Sequence, residues 1–231
     1  MLRNYLAAAL RNLVRNRLYA AINIIGLAVG FAAAILVALF IRDELTYERW
    51  IPGSERTFLF PAEFHFASNM PTVYNDNGDR ELARGMSELP EVEGGARLYN
   101  FPMYRAPLAG LRRGDVEADE RLYWADPNFL SVVPLPMVAG DPESALDQPG
   151  AVVITRRLAR KYFGRDDARG ETIEMDRAHA MTVTAVIEDL PSNPHLNFDV
   201  LASARAPFSD LATFDALPAD RQGQGAFTYV R

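Results

Sequence analysis

The chain has 231 residues, 49% hydrophobic and 23% charged, a composition typical of a globular protein with room for one domain and an additional segment. Residues 1–41 hold four Arg and no acid, whereas the remaining 190 residues hold 20 basic and 30 acidic groups, a net charge of −10. This acidic balance argues against a nucleic-acid-binding domain, and the absence of cysteine excludes disulfides and Cys-ligated zinc or iron–sulfur sites.

The first 16 residues have the pattern of an amphipathic helix. Leucines recur at helical spacing along one face, and the opposite face is polar and basic. Such a helix lies on the membrane surface with its arginines near anionic headgroups. We therefore predict a cytoplasmic interfacial helix over residues 1–16, the alternative being a plain continuation of the next segment into the cytoplasm. The apolar face consists of Leu2, Leu6, Leu10 and Leu13, and the polar face of Asn4, Arg11 and Arg15.

Residues 18–41 form an uncharged stretch of 24 residues. As a helix it would be about 36 Å long, against a hydrocarbon core of about 30 Å. Thirteen of its residues are Leu, Ile, Val or Phe, which favour membrane insertion by about 4–8 kcal/mol and surround the helix instead of forming a stripe. We predict a transmembrane helix here. A cleaved signal peptide is the nearest alternative, but its apolar region is shorter and an A-x-A-like site would follow.

Two further features of this N-terminal region concern orientation and packing. By the positive-inside rule, the basic residues before the span place the N-terminus in the cytoplasm and everything after Arg42 on the far side. Gly26 and Gly30 form a G-x-x-x-G pair, which lets two helices approach closely in lipid. The other interpretation is that Gly is simply common in membrane helices. The residues that set the orientation are Arg3, Arg11, Arg15 and Arg17.

Beyond Tyr47 the pattern changes to short alternating segments separated by turns, which predicts an α+β domain in one or two lobes. A helix is predicted over 79–89, another is expected to begin with Asp126 as its cap, and a third over 156–163 is bounded by a Thr155 cap and Gly164. The acidic run Asp115–Glu120 is interpreted as a solvated hairpin. Strands are predicted at 56–60 and 63–66 (one strand interrupted by Pro61), 95–105, 121–125, 151–154, 171–175, 181–187, 198–202 and 227–231.

No pattern of catalytic residues is visible. The three histidines, His65, His179 and His195, lack metal-site spacing, and there is no G-x-S-x-G nucleophile motif or G-x-x-x-x-G-K-[ST] nucleotide loop. We therefore expect no enzyme activity, no metal site and no cofactor bound by this chain. From the residues alone, the sequence predicts a single-span anchor followed by an acidic, Cys-free α+β domain.

An ordered set of motifs resembles the start of the FtsX/MacB-like permeases of ABC transporters and their periplasmic core domain. The set spans about 200 residues, and its order is more specific than any single motif. The motifs are Met1-Leu-Arg-Asn-Tyr-Leu, Ala9-Leu-Arg-Asn-Leu, Asn16-Arg-Leu-Tyr, Ile22-Asn-Ile-Ile-Gly-Leu-Ala-Val-Gly, Asp43-Glu-Leu-Thr-Tyr-Glu, Ala125-Asp-Pro-Asn-Phe, Pro136-Met-Val-Ala-Gly-Asp-Pro, Ala145-Leu, Val153-Ile-Thr-Arg-Arg-Leu-Ala-Arg-Lys-Tyr-Phe-Gly, Gly170-Glu-Thr-Ile and Val183-Thr-Ala-Val-Ile-Glu-Asp-Leu-Pro.

The resemblance implies a permease subunit of an export or mechanotransmission complex in a bacterial inner membrane. Residues 51–231 would be the periplasmic core domain, and three further membrane helices would follow in a complete family member. The implied partners are a cytoplasmic ABC ATPase that binds the ATP, a second permease copy, the lipid bilayer and, in some members, a periplasmic adaptor. The alternative is a single-span, membrane-anchored binding or sensory domain outside the cytoplasm.

Overall fold

In the computed structural model of the chain, the described residues are 5, 11–12, 14–46, 49–60, 62–64, 73–75, 77–78, 85–86, 88–99, 108–191, 196–216 and 226–231. The chain divides into two compact units, Met1–Tyr47 and Glu48–Arg231, and we call the second the sheet domain. One apolar helix in the first unit and a mixed sheet with short helices in the second confirm the α+β prediction. Residues Glu48–Arg231 form one compact unit, so the sheet domain has one lobe and not two.

Helix α1, Arg17–Thr46, is the main element of the first unit. Its large apolar side chains are exposed on all sides, as the uniform distribution of Leu, Ile, Val and Phe predicts. The helix continues five residues beyond the predicted span because Arg42, Asp43 and Glu44 end the apolar segment but remain compatible with helical structure. Of residues 1–16, the described Tyr5, the pair 11–12 and the pair 14–15 are helical, and the rest of the predicted interfacial helix lies outside the described residues.

Besides the helical pair 85–86, the described part of the sheet domain contains thirteen strands and four short helical segments. The strands are β1 Phe58–Phe60, β2 Ala62–Phe64, β3 Val73–Asn75, β4 Asn77–Gly78, β5 Gly95–Tyr99, β6 Leu108–Arg113, β7 Val116–Ala125, β8 Met137–Ala139, β9 Ala151–Thr155, β10 Thr172–Met175, β11 His179–Ile187, β12 Val200–Ser203 and β13 Ala226–Val230. The helical segments are the 3₁₀ turn Ser54–Arg56, α2 Phe129–Val132, α3 Arg156–Phe163 and α4 Asp210–Asp215.

Eleven of these strands form one sheet in the order β1-β13-β5-β7-β12-β9-β11-β10-β6, with β4 beside β13 and β8 beside β11. Because β6 pairs with both β10 and β7, the six strands from β7 to β6 form a closed ring. The parallel pair β9 and β11 is connected through α3, as parallel strands require a crossover. Because β6 and β10 pair with each other, the ring has no unpaired strand edge where it closes.

Alternate residues along the central strands face two different hydrophobic clusters, which is the period-2 pattern of a sheet covered on both faces. The first cluster contains side chains from all six strands of the ring and from α3, including Trp124, Ile154 and Leu158. The second contains intervening residues of β7, β9, β11 and β12, such as Val153, together with residues of β5, β13 and the 129–146 region, which includes α2. Strand β9 is buried along its whole length because it contributes to both clusters.

Helix α3 begins and ends where the sequence predicts. The Leu158 backbone N–H donates to Thr155 Oγ1 at 3.4 Å, so Thr155 is the N-cap. Gly164 is the C-cap residue and has φ +68°, the left-handed conformation that glycine adopts without a Cβ clash. The prediction of this helix and of both caps is confirmed.

Other predictions were wrong or incomplete. Residues 56–66 do not form one interrupted strand, because β1 pairs with β13 whereas β2 pairs with β3 in a separate sheet. Asp126 does not cap a helix: α2 begins after Asn128 without a side-chain cap, and the Asp126 carboxylate binds Arg97. Strands β6 and β8 and helix α4 were not predicted. Most of the predicted helix 79–89, and residues 100–105 of the predicted strand 95–105, lie outside the described residues.

Candidate functional site

Helix α1 has the length and composition of a membrane-spanning helix. Its segment Arg17–Leu45 is the one such segment within the described part of the chain, and none of its most apolar stretch is buried. A helix whose entire apolar surface is exposed is stable in lipid, where its backbone groups are satisfied internally and its side chains match the solvent. The first unit therefore has a surface that suits membrane anchoring.

The structure leaves the predicted packing residues Gly26 and Gly30 without a neighbour: a Cβ added at either position would meet no atom within 4 Å. Close packing of another helix against the G-x-x-x-G pair thus stays a prediction. Arg17 is the first residue of α1, and its Nε donates to the Val14 carbonyl at 3.1 Å. Of the other orientation residues, Arg11 and Arg15 are helical and exposed, and Arg3 lies outside the described residues.

The first described residues of the sheet domain are fixed to its core. Ile51 is buried at 5% exposure, and Trp50 packs against the second hydrophobic cluster with its indole N–H buried. The backbone turns over Gly53 into the 3₁₀ segment, and Thr57 Oγ1 donates to the Val132 carbonyl at 3.2 Å. The segment that contains Trp50 and Ile51 is therefore packed against the domain core.

A short ionic network connects β5 to the end of β7 and to α4. The Arg97 guanidinium donates to both oxygens of Asp126 at 2.9 Å and to those of Asp215 at 2.8 and 3.1 Å. Burial of Arg97 lowers its pKa, but the hydrogen bonds from the two carboxylates outweigh burial and raise it, so the guanidinium stays charged. Sequence analysis missed this network because Arg97 is separated from Asp126 by 29 residues and from Asp215 by 118.

A buried acid–base cluster involves the one lysine of the chain. Glu120, the last acid of the Asp115–Glu120 run, is only 4% exposed and accepts hydrogen bonds from Lys161 Nζ and, at 3.0 Å, from the Tyr162 hydroxyl. Burial and the neighbouring Glu120 carboxylate raise the pKa of Tyr162, so it remains a donor. The hairpin prediction is confirmed, since Gly114 and Asp115 form the turn between β6 and β7, but Glu120 is not solvated.

Asp199 is a carboxylate with 8% side-chain exposure that binds two arginines. Arg121 Nε and Nη2 donate to its two oxygens at 2.9 and 3.1 Å, and Arg157 Nη2 donates at 2.6 Å. Burial alone raises the pKa of Asp199, but the hydrogen bonds from the two arginines outweigh it and hold the pKa below its usual range. The contacts join β7, α3 and the start of β12.

Replacing Asp199 by Asn is expected to lower the free energy of unfolding by about 1–2 kcal/mol at pH 7, because both arginines lose a charged partner but remain partly solvated. Since the folded-state pKa of Asp199 is lowered, its charge stabilises the fold above the unfolded pKa of about 3.9, and this stabilisation is lost as the pH falls through the folded value. Thermal unfolding should show a difference from wild type at pH 7 that shrinks below about pH 4.

The control for this prediction is Glu143→Gln, which removes the charge of an exposed carboxylate. It should leave the unfolding temperature within about 1–2 °C of wild type at both pH values. An Asp199→Asn effect that is equally large at pH 7 and below pH 4 would contradict the electrostatic origin.

Among the described residues no group of three or more His, Asp or Glu side chains could hold a metal ion. His179 stacks on the Phe208 ring at a centroid distance of 3.5 Å, a packing role, and His65 and His195 lie outside the described residues. The described residues form an exposed apolar helix in one unit and a sheet with several ion pairs in the other.

Residues 20–231 match the family described as the MacB-like periplasmic core domain. Two solved structures are similar in fold. One is a domain assigned to a permease protein from Porphyromonas gingivalis, with a TM-score of 0.60 and 22% identity over 80% of this chain and 76% of that one. The other is the periplasmic region of MacB from Actinobacillus actinomycetemcomitans, with a TM-score of 0.51 and 13% identity over 79% and 75%. No curated protein matches the sequence.

Proposed function

The chain belongs to the family of MacB-like periplasmic core domains of ABC transporter permeases, and from this premise we propose that it passes ATPase-driven movement of membrane helices to the sheet domain. The single observation that supports this most strongly is the extent of the family match. It begins at residue 20, inside α1, and ends at residue 231, so the apolar helix and the sheet domain are parts of one family unit.

Family membership implies association with an ATPase subunit. We further propose that the ATP is bound by this partner alone, that two permease copies assemble, and that in some complexes an adaptor outside the membrane joins them. The membrane would be the bacterial inner membrane, with the N-terminus in the cytoplasm and the sheet domain in the periplasm. The arginines at the N-terminal end of α1, Arg11, Arg15 and Arg17, support this orientation.

The way in which the sheet domain begins supports a mechanical role. Transmission of a displacement requires that the receiving domain be attached without slack, since a flexible linker absorbs movement. Here Ile51 is buried in the core and Thr57 is hydrogen-bonded to α2, so the first described residues of the domain are part of its rigid body. The same sheet is stiffened by ring closure and by the Arg97 and Asp199 networks.

Insertion of Gly-Ser-Gly-Ser-Gly-Ser after Glu48 in the full-length protein tests the proposal. In the complex purified with its ATPase, a spin label on Ser131→Cys should report an ATP-dependent change in the distance between the two copies. Residues 1–231 contain no cysteine and Ser131 is exposed, so the label is specific once any cysteine elsewhere in the complex is replaced by serine. We expect the insertion to reduce this distance change by more than half, since the added segment behaves as a flexible coil.

The same six residues inserted after Gly114, in the exposed turn between β6 and β7, are the matched control and should leave the distance change intact. An insertion after Glu48 that leaves the ATP-dependent change undiminished would contradict the mechanical role. Failure of any ATPase to associate with the full-length wild-type protein would contradict the proposed function as a whole.

A further inference from the structure

One carboxylate lies where three neighbouring strand ends meet in the sheet domain. Strand β1 begins opposite the end of β13 through the pair Phe58 and Val230, and β5 begins opposite the same residue through Gly95. Glu93 stands two residues before β5. The sheet order β1-β13-β5 therefore brings the segment that follows α1 in the chain, the last strand of the described chain and Glu93 to one corner of the sheet.

The Glu93 carboxylate connects two arginines that are far apart in sequence. Arg56 Nη2 donates to Glu93 Oε1, and Arg231 Nε donates to Glu93 Oε2 at 3.1 Å. Each oxygen thus accepts from a different arginine: Arg56 is the last residue of the 3₁₀ segment, two residues before β1, and Arg231 directly follows β13. We call Arg56, Glu93 and Arg231 the Glu93 clasp.

Backbone hydrogen bonds hold the same corner together. The Glu93 N–H donates to the Arg231 carbonyl at 2.7 Å, and the Arg231 N–H donates to the Gly94 carbonyl at 3.0 Å. These bonds fix Arg231 to the start of β5, but none of them reaches the segment 53–57. The hydrogen bond from Arg56 to the Glu93 side chain extends the connection to that segment.

The Arg231 guanidinium also lies against the turn that precedes β1. Gly53 has φ +71°, and a Cβ at this position would lie 3.1 Å from Arg231 Nη2. The Arg231 side chain is 20% exposed, whereas those of Arg56 and Glu93 are 58% and 52% exposed. The guanidinium is therefore enclosed between Gly53 and Glu93, and its position is set by both.

Exposed ion pairs contribute little to overall stability, so the clasp is not needed to hold the fold together. Its location suggests another role. Only three residue pairs join β1 to β13, which makes this ladder short and easily sheared at its end. The Glu93 carboxylate bridges Arg56 and Arg231 at this end of the ladder. It therefore opposes separation of β1 from β13 at the point where the segment after α1 joins the sheet.

We propose that Glu93 is a positioning residue for transmission: it locks the segment 53–57 to β13 and β5, so that a displacement of that segment moves the sheet domain as one body. This inference rests on the proposed function for its consequence, although the lock itself is a property of the sheet domain alone. The proposed role of Glu93 requires no ligand. If its contact with Arg56 were lost, a displacement of the segment 53–57 would be passed less completely to β13 and β5.

The test compares Glu93→Gln with Glu91→Gln, a neighbouring exposed carboxylate, in the full-length protein with its ATPase. Amide hydrogen exchange measures the lock directly. In Glu93→Gln, residues 53–60 and 226–231 should exchange about three- to fivefold faster, with the unfolding temperature nearly unchanged. Arg56→Gln should have a similar effect, and the double variant should add little to either single one, because both remove the same contact.

The spin label on Ser131→Cys then measures the consequence. The ATP-dependent distance change should be smaller in Glu93→Gln than in wild type and Glu91→Gln. Unchanged exchange in Glu93→Gln would overturn the lock whatever the label shows, and faster exchange with a full-sized distance change would overturn its role in transmission. If wild type itself shows no ATP-dependent change, the proposed function fails, and the exchange result still decides whether Glu93 locks the corner.

Discussion

Replacing Gly140 by Ala should lower the free energy of unfolding of the sheet domain by about 3–5 kcal/mol, the largest effect of a single methyl group that the structure predicts. Gly140 has φ +105°, and a Cβ there would lie 2.5 Å from the Ala185 Cβ and 2.8 Å from its Cα. Both contacts are with a residue that is fully buried in β11, so no flexible side chain can move away. Backbone strain adds about 1–2 kcal/mol to this clash.

The position in the sheet explains why relief is difficult. Gly140 directly follows β8, and β8 pairs with β11 through Val186 and Ala139. Strand β11 is also paired with β9 across a register shift between Val183 and Ala185. Moving Ala185 to admit a methyl group would therefore disturb two ladders. For a domain of this size the unfolding temperature should fall by about 6–20 °C in thermal denaturation.

Two glycines provide matched controls. Gly170 has φ +78° and open space for a Cβ, so Gly170→Ala isolates backbone strain and should cost about 1–2 kcal/mol. A Cβ at Gly150 would meet only the Ala180 carbonyl at 3.7 Å, an ordinary contact, so Gly150→Ala should be nearly neutral. If Gly140→Ala were no more destabilising than Gly170→Ala, the close approach of Gly140 to Ala185 would be refuted.

The sequence predicts those helices and strands that are determined by residues close together in the chain. The uncharged stretch 18–41 predicts α1 because helix formation in lipid depends on composition alone. The Thr155 and Gly164 caps predict α3 because each acts within four residues of its own position. The alternation in 181–187 predicts β11 because successive side chains of a strand point to opposite faces: Met181 and Val183 are buried, whereas Thr182 between them is exposed.

Contacts between residues far apart in the chain could not be predicted from the sequence. Closure of the ring depends on β6 meeting β10, and only two residue pairs join them. Asp126 has the residue type and position of a helix cap, yet Arg97 from a neighbouring strand binds its carboxylate. The pattern reveals a residue that could cap, but it cannot reveal a competing partner 29 residues away.

The same limit applies to the candidate site. The resemblance in chain order identifies the family and places the apolar helix next to the periplasmic core domain. The Glu93 clasp is invisible in the sequence because Arg56 and Arg231 lie 37 and 138 residues from Glu93. Likewise the sequence does not show that the single lysine, Lys161, donates a hydrogen bond to the buried Glu120 carboxylate.

The second large effect concerns the membrane. Replacing Val29 and Ala33 together by Arg should release the 231-residue chain from the membrane fraction. Each arginine at the centre of a span costs about 2.5–3.5 kcal/mol, so two offset most of the roughly 4–8 kcal/mol by which the apolar residues favour insertion. Both residues lie in the middle of α1, too far from either end for their side chains to reach water easily.

The measurement is the fraction of chain that stays in the membrane pellet after an alkaline carbonate wash. The matched control replaces the same two residues by Leu, which keeps the helix apolar and should leave the fraction unchanged. Equal retention of the double Arg variant and the Leu control would mean that something other than the apolar surface of α1 attaches the chain.

We propose that α1 crosses a bilayer and carries the sheet domain outside the cytoplasm. Single cysteines at Asp115, in the exposed β6–β7 turn, and at Asn4 test it, since the chain has no cysteine of its own. In intact cells with a permeabilised outer membrane, a membrane-impermeant maleimide should label Asp115→Cys, and should label Asn4→Cys only after lysis. Labelling of Asn4→Cys but not Asp115→Cys in intact cells, or of neither before lysis, would contradict the claim.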